Sequence, residues 1–155
     1  MGFDIHIVVE ENQNDQWVII KKDGEFLSQY RNYDTFTKLA NVRNHYGIEP
    51  FVKPRGLPSD SSLKYQSGCH NYTWYELEEL ITFCQNGKIE IGAYYPGGNG
   101  RKIKRPENME CFVRGTNGHA TNGVYWEEPF DPVFTDEIKK LREDGKDRRV
   151  IIYFN

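Results

Sequence analysis

Four groups of side chains in this chain have the types and spacing to do chemistry. Asp4 and His6 stand two apart in a run that alternates apolar and polar residues. They therefore project from one face of a strand. An acidic-x-His pair of this kind serves metal hydrolases, and it serves equally well as a solvent-side cap on a sheet. Arg31-Asn32 precedes a helix start, where unsatisfied N–H groups favour an anion. The Arg fork matches phosphate, and Asn can read a base edge. Alternatively, Asn32 or Asp34 simply caps that helix. Arg55 lies in Pro54-Arg55-Gly56-Leu57-Pro58, where prolines stiffen the chain on both sides. A guanidinium held there is pre-organised for a phosphate or carboxylate, or for loop carbonyls. His70, Asn71 and Tyr72 with Trp74 offer polar edges beside an aromatic face, which suits a nucleobase. Trp74 also fits an apolar helix stripe, so a core role stays open.

Other motifs are incomplete. Residues 96–108 contain three glycines and the cations Arg101, Lys102, Lys104 and Arg105. That composition could close over an anion or form a solvated hairpin tip, but Gly-x-x-x-x-Gly-Lys-[Ser/Thr] is absent. His119-Ala120-Thr121 matches the H-x-T unit of two-histidine phosphoesterases, which need one copy as acid and one as base. No other histidine is followed in that way. Gly-x-Ser-x-Gly is absent too. Cys69, Cys84 and Cys111 form no C-x-x-C pair, which argues against a zinc site or a disulfide framework. No catalytic residue, cofactor or metal is assigned.

The elements that must position these residues follow from periodicity. Residues 3–9 read as a strand, and residues 17–21 as its hairpin partner across a polar turn at 11–16. Residues 25–30 read as extended. A helix over about 34–44 puts Phe36, Leu39, Ala40 and Arg43 on one face. Residues 48–72 have no period and hold three prolines, the mark of a functional or disordered segment. Thr73-Trp74-Tyr75-Glu76 reads as a capping box opening a second helix, with Leu77, Ile81 and Cys84 on its buried face. Strands follow at 88–95, 109–114 and 124–127. Asp131-Pro132 opens a third helix with Phe134, Ile138 and Leu141 buried. The near-continuous apolar run 149–154 predicts a central strand beside the first one. The predicted class is α+β: one domain, 1–155, with a single mixed sheet, about three helices and long irregular loops.

Composition excludes several classes. The net charge of −3 argues against DNA or RNA polymers, which want a basic footprint. No apolar run approaches the ~18 residues that cross a membrane, and the opening residues do not read as a secretory signal. Ten tyrosines and 14% aromatic residues supply a core, stacking faces and contact surface for a homo-oligomer.

Met1-Gly2-Phe3-Asp4-Ile5-His6, Arg31-Asn32-Tyr33-Asp34 with Phe36 and residues 39–44, the 54–58 loop, His70 before Thr73-Trp74, and the apolar C-terminal strand together resemble a family of small phage and prophage proteins. These open Met-Gly-x-Asp-Ile-His and run most of this length. They end Phe-Asp-Asn, whereas this chain ends Tyr153-Phe154-Asn155, so an acidic role there does not carry over. Size, phage context and pocket chemistry are further similar to the phage anti-CBASS sponges. That likeness implies sequestration of a cyclic oligonucleotide signal without cleavage, by a homo-oligomer such as a tetramer, in the cytoplasm of the infected bacterium.

The expected ligand-binding set is Asp4, His6, Arg31, Asn32, Arg55, His70, Tyr72, Trp74, Arg101 and Arg105. Two other classes compete. One is a metal-dependent phosphodiesterase built on Asp4, His6 and His70. The other is a protein-binding inhibitor of a host factor that uses the tyrosine-rich surface.

Overall fold

The computed structural model describes residues 4–22, 25, 33–42, 44, 48–95, 111–115 and 122–155. Strands β1 (Ile5–Gln13) and β2 (Gln16–Lys21) open the fold, followed by helix α1 (Tyr33–Ala40). An irregular segment leads to β3 (His70–Glu76), which runs directly into α2 (Leu77–Asn86). Strands β4 (Lys88–Tyr95), β5 (Cys111–Gly115) and β6 (Asn122–Pro129) come next, then α3 (Pro132–Lys139) and β7 (Arg148–Phe154).

The class is α+β. The expected single mixed sheet is instead two sheets, ordered β2-β1-β7-β3 and β4-β6-β5, and every strand pairing among the described residues is antiparallel. A physical reason for the division lies at β3. Its outer side is occupied by the 54–56 loop, whose Gly56 N–H donates to the Tyr72 carbonyl (2.8 Å). The chain after β3 becomes α2 and leaves that edge.

The strand β7 sits between β1 and β3, with Ile152 opposite Ile7 and Thr73. Residues 149–154 are buried, as the apolar run requires. The turn joining β1 to β2 is tighter than expected. Only Asn14 and Asp15 form it, both at positive φ (53° and 65°), a conformation that these two residue types tolerate and that matches strand twist.

Alternation along the strands gives the four-stranded sheet two buried faces. On the first face, Ile5, Ile7, Val9, Val150, Ile152, Phe154 and Tyr75 pack against residues of all three helices, including Phe36, Leu39, Leu80, Ile81, Phe134 and Ile138. The α3 helix starts where Asp131 accepts hydrogen bonds from the N–H groups of Val133 and Phe134, with Pro132 at the first turn. On the second face, Val8, Ile151, Tyr72 and Tyr153 lie beneath Leu57, Leu63 and Cys69. Residues 57–69 thus form an irregular strap across that face.

Residues 73–76 do not open a helix. Thr73 is fully buried on β3, and its hydroxyl accepts from the Arg55 N–H (3.2 Å). Glu76 takes the N-cap position of α2 without a side-chain cap bond. Pairing with β7 overrides the local capping pattern and delays the helix by about one turn. His70 and Tyr72 are therefore sheet residues, not residues of a loop before a helix, and Trp74 is a sheet residue, not part of a helix stripe.

Candidate functional site

The second face carries two rows of side chains that cross the strands. The first is a row of rings. His6 opposes Tyr153 across β1 and β7, with ring centroids 4.8 Å apart and planes at 18°. Tyr153 stacks on Tyr72 of β3 at 4.9 Å and 10°. Tyr72 meets Tyr65 of the strap at 5.4 Å and 38°. Tyr72 and Tyr153 are buried, His6 is half-buried and Tyr65 is 69% exposed. Asn155 Oδ1 lies 2.9 Å from His6 Nε2. The backbones of Asp4 and Asn155 exchange two hydrogen bonds (3.0 and 3.2 Å), which fixes Asn155 beside His6. Burial raises the Tyr72 hydroxyl above its ordinary pKa. That hydroxyl stays a neutral donor and acceptor, and it accepts from the Gln66 N–H (3.2 Å).

The second row is charged. Arg149 donates to Glu10 (Nε to Oε2, 2.9 Å) and to Asp60 (2.9 Å). Its guanidinium lies 3.9 Å from the Trp17 ring centroid and 6.0 Å from that of Trp74. Glu10 is wholly buried. Its other oxygen accepts from Ser61 Oγ (2.6 Å), Ser62 N–H (3.1 Å) and Ser62 Oγ (3.1 Å). Trp17 Nε1 donates to Asp60 (3.1 Å). Desolvating two charges costs several kcal/mol unless their partners replace water. Here the strap supplies those partners, so the ion pair and the strap hold each other. Arg149, by its hydrogen bond, holds the Asp60 carboxyl below the usual carboxylate range.

Arg55 is engaged by the protein itself. Its fork grips Glu79 at 2.5 and 2.8 Å, and it donates to the Trp74 carbonyl (3.2 Å). It also stacks over Trp74 at 5.0 Å. A phosphate at Arg55 would have to displace a carboxylate that already fills the same geometry.

His70 lies apart from His6. Tyr153 and Phe154 are successive strand residues and so point to opposite faces. His6 stacks on the first and His70 on the second, at 6.4 Å. His70 Nδ1 is 2.7 Å from Asn71 Oδ1, and Asn71 Nδ2 reaches the carbonyl of Ala40 (3.3 Å) at the end of α1. Asn71 sits at φ 54°, within a break in the β3 register between His70 and Thr73.

No family model, curated protein or solved structure matches this chain.

The structure therefore unites His6, Tyr72 and Trp74 on one face and places Asp4 at its margin. It puts His70 on the other face and Arg55 at the sheet edge. Arg31, Asn32, Arg101 and Arg105 lie outside the described residues, as do His119 and Thr121. Sequence reasoning missed Tyr65, Tyr153, Trp17 and the Glu10–Arg149–Asp60 network. The opposite charges flanking the apolar stretches of β1 and β7 were the available signal, once those strands are paired. Elsewhere, Glu76, Glu78, Arg142, Lys146 and Arg148 line a hollow of about 110 Å³. That is below the roughly 300–1,000 Å³ of small-molecule sites, and its Arg142 fork is held by Glu78 at 2.8 Å. Among the described residues no three His, Cys, Asp or Glu side chains cluster as a metal site, and no helix is long and apolar enough to cross a membrane.

Proposed function

We propose that this protein binds a cyclic oligonucleotide signal and sequesters it without cleaving it, as a phage protein countering a bacterial immune response. The observation that carries this reading is the row of rings on the second face, whose buried members Tyr153 and Tyr72 support the half-buried His6, with the amide of Asn155 beside it, at one end and the exposed Tyr65 at the other. Flat faces joined to polar edges are what a nucleobase requires of a binding surface. The separation of His6 from His70 by the sheet favours binding over the metal-dependent phosphodiesterase, which would need both on one ion. The phosphates would be met by Arg31, Asn32, Arg101 and Arg105. The protein would act as a closed homo-oligomer such as a tetramer in the cytoplasm of the infected cell, without cofactor, DNA or RNA polymer.

The test is stoichiometric. The protein is mixed with cyclic di- and trinucleotides, with and without EDTA, then heated, and the released ligand is chromatographed. One intact ligand should be lost from solution per site and recovered unchanged, and EDTA should make no difference. A linear product in excess of the protein, abolished by EDTA, would overturn sequestration and make a hydrolase of it.

A further inference from the structure

Tyr65 is the most exposed of the large hydrophobic side chains at the described surface, at 69%, against 47% for Val133 and less for Val18 and Ile20. Exposed rings of this kind usually swing freely, but this one is fixed from two directions. Its ring rests on Tyr72 at 5.4 Å, at the end of the stacked row. The next residue, Gln66, donates its N–H to the Tyr72 hydroxyl (3.2 Å). Gln66 also begins a tight turn, closed by the Cys69 N–H on the Gln66 carbonyl (3.2 Å). That turn needs positive φ at its third residue, and Gly68 provides it at 85°. Beneath Tyr65 the row continues through Tyr153 to His6, so the support is part of the sheet.

We infer that Tyr65 is a base-stacking platform: a nucleobase of the bound nucleotide lies on its outward surface and extends the ring row by one plane. This rests on the cyclic-nucleotide reading and names the residue that would meet the base. Stacking on an aromatic ring tolerates any base. Pre-positioning Tyr65 removes most of the ordering cost that a mobile ring incurs on binding. The exposed face suits a flat, polarisable ring with a hydrogen-bonding rim, which is what a nucleobase presents.

The experiment is calorimetric titration of wild type, Tyr65→Ala, Tyr65→Leu and Tyr65→Phe with a panel of cyclic di- and trinucleotides, alongside thermal melting of each variant. Tyr65→Ala and Tyr65→Leu should each weaken binding roughly ten- to hundredfold, the scale of one base–aromatic stack, with melting temperatures near wild type. Tyr65→Phe should stay within a few-fold. Unchanged affinity in Tyr65→Ala would overturn the platform and leave the cyclic-nucleotide reading standing. Full affinity in Tyr65→Leu with loss in Tyr65→Ala would also overturn it, because apolar packing on Tyr72 would then be the whole effect. Wild type binding no member of the panel would overturn both.

Discussion

Arg55 shows how one side chain divides between ligand and fold. Its guanidinium holds Glu79 in a bidentate grip, with side-chain exposures of 28% and 31%, and the Glu79 hydrogen bond raises its already high pKa. It also lies over the Trp74 ring at 5.0 Å. A partly exposed ion pair contributes about 0.2–1 kcal/mol, and a cation over a ring adds about 0.5–1 kcal/mol. Arg55→Ala should therefore lower stability by about 1 kcal/mol in urea titration. Glu79→Gln should lower it by less, because the stack over Trp74 remains. Equal stability of all three proteins would mean that the pair contributes nothing. The Pro-Arg-Gly-Leu-Pro motif marked an ordered arginine correctly, but its acceptor is a carboxylate twenty-four residues along the chain, which no local pattern reveals.

At the scale of elements, the strap at 57–69 has no repeating backbone bonds of its own and is tied down by polar contacts. Glu10 accepts three bonds from Ser61 and Ser62, and Arg149 and Trp17 hold Asp60. Removing one partner of a buried ion pair strands the other charge, at a cost of about 3–5 kcal/mol. Glu10→Ala should therefore destabilise the whole sheet by that amount. The double change Ser61→Ala, Ser62→Ala leaves the Glu10–Arg149 pair in place and loosens only the strap. Limited proteolysis should then cut within 57–69 well before the rest of the chain, while wild type resists. A cut pattern identical to wild type would show that the two hydroxyls are dispensable and that the Ser62 N–H, the Asp60 contacts and the packing of Leu57 and Leu63 hold the strap without them. The sequence marked 48–72 as structureless, and its irregularity was legible from its prolines. Beyond the 54–58 loop its order was not, because that order comes from Glu10 and Arg149, some fifty and eighty-nine residues away from the strap tip. Strands β1 and β7 were legible because alternation and an apolar run are local signals. The strand β3 was not, since Thr73 and Glu76 match a helix-capping pattern and only pairing with β7 shows otherwise.

Over the whole molecule, carboxylates tie the four-stranded sheet on both of its faces, and stability must follow their protonation. Arg149 holds Asp60 below its ordinary pKa, chiefly through their hydrogen bond. Hydrogen bonds from Gln13 and then Arg148 do the same for Glu11. Arg148 also bridges to Glu143 and to the Leu141 carbonyl, which joins β1 and β7 to the chain beyond α3. A carboxylate whose folded pKa is depressed contributes its stability in full above its unfolded value, near pH 4. It loses that contribution as the pH falls through the lower, folded value. Opposing titrations are absent at neutral pH from two buried groups: desolvation pushes the Cys84 thiol up to about 12 and raises the Tyr75 hydroxyl as well. The melting temperature should therefore show no carboxylate-driven decline between about pH 7 and 5 and should fall steeply below about pH 4. Asp60→Asn provides the control. It removes one of the depressed carboxylates, so its melting temperature should start lower at neutral pH and converge on wild type in acid. Parallel curves, with a constant gap at every pH, would show that Asp60 acts through packing and that its charge on Arg149 contributes nothing.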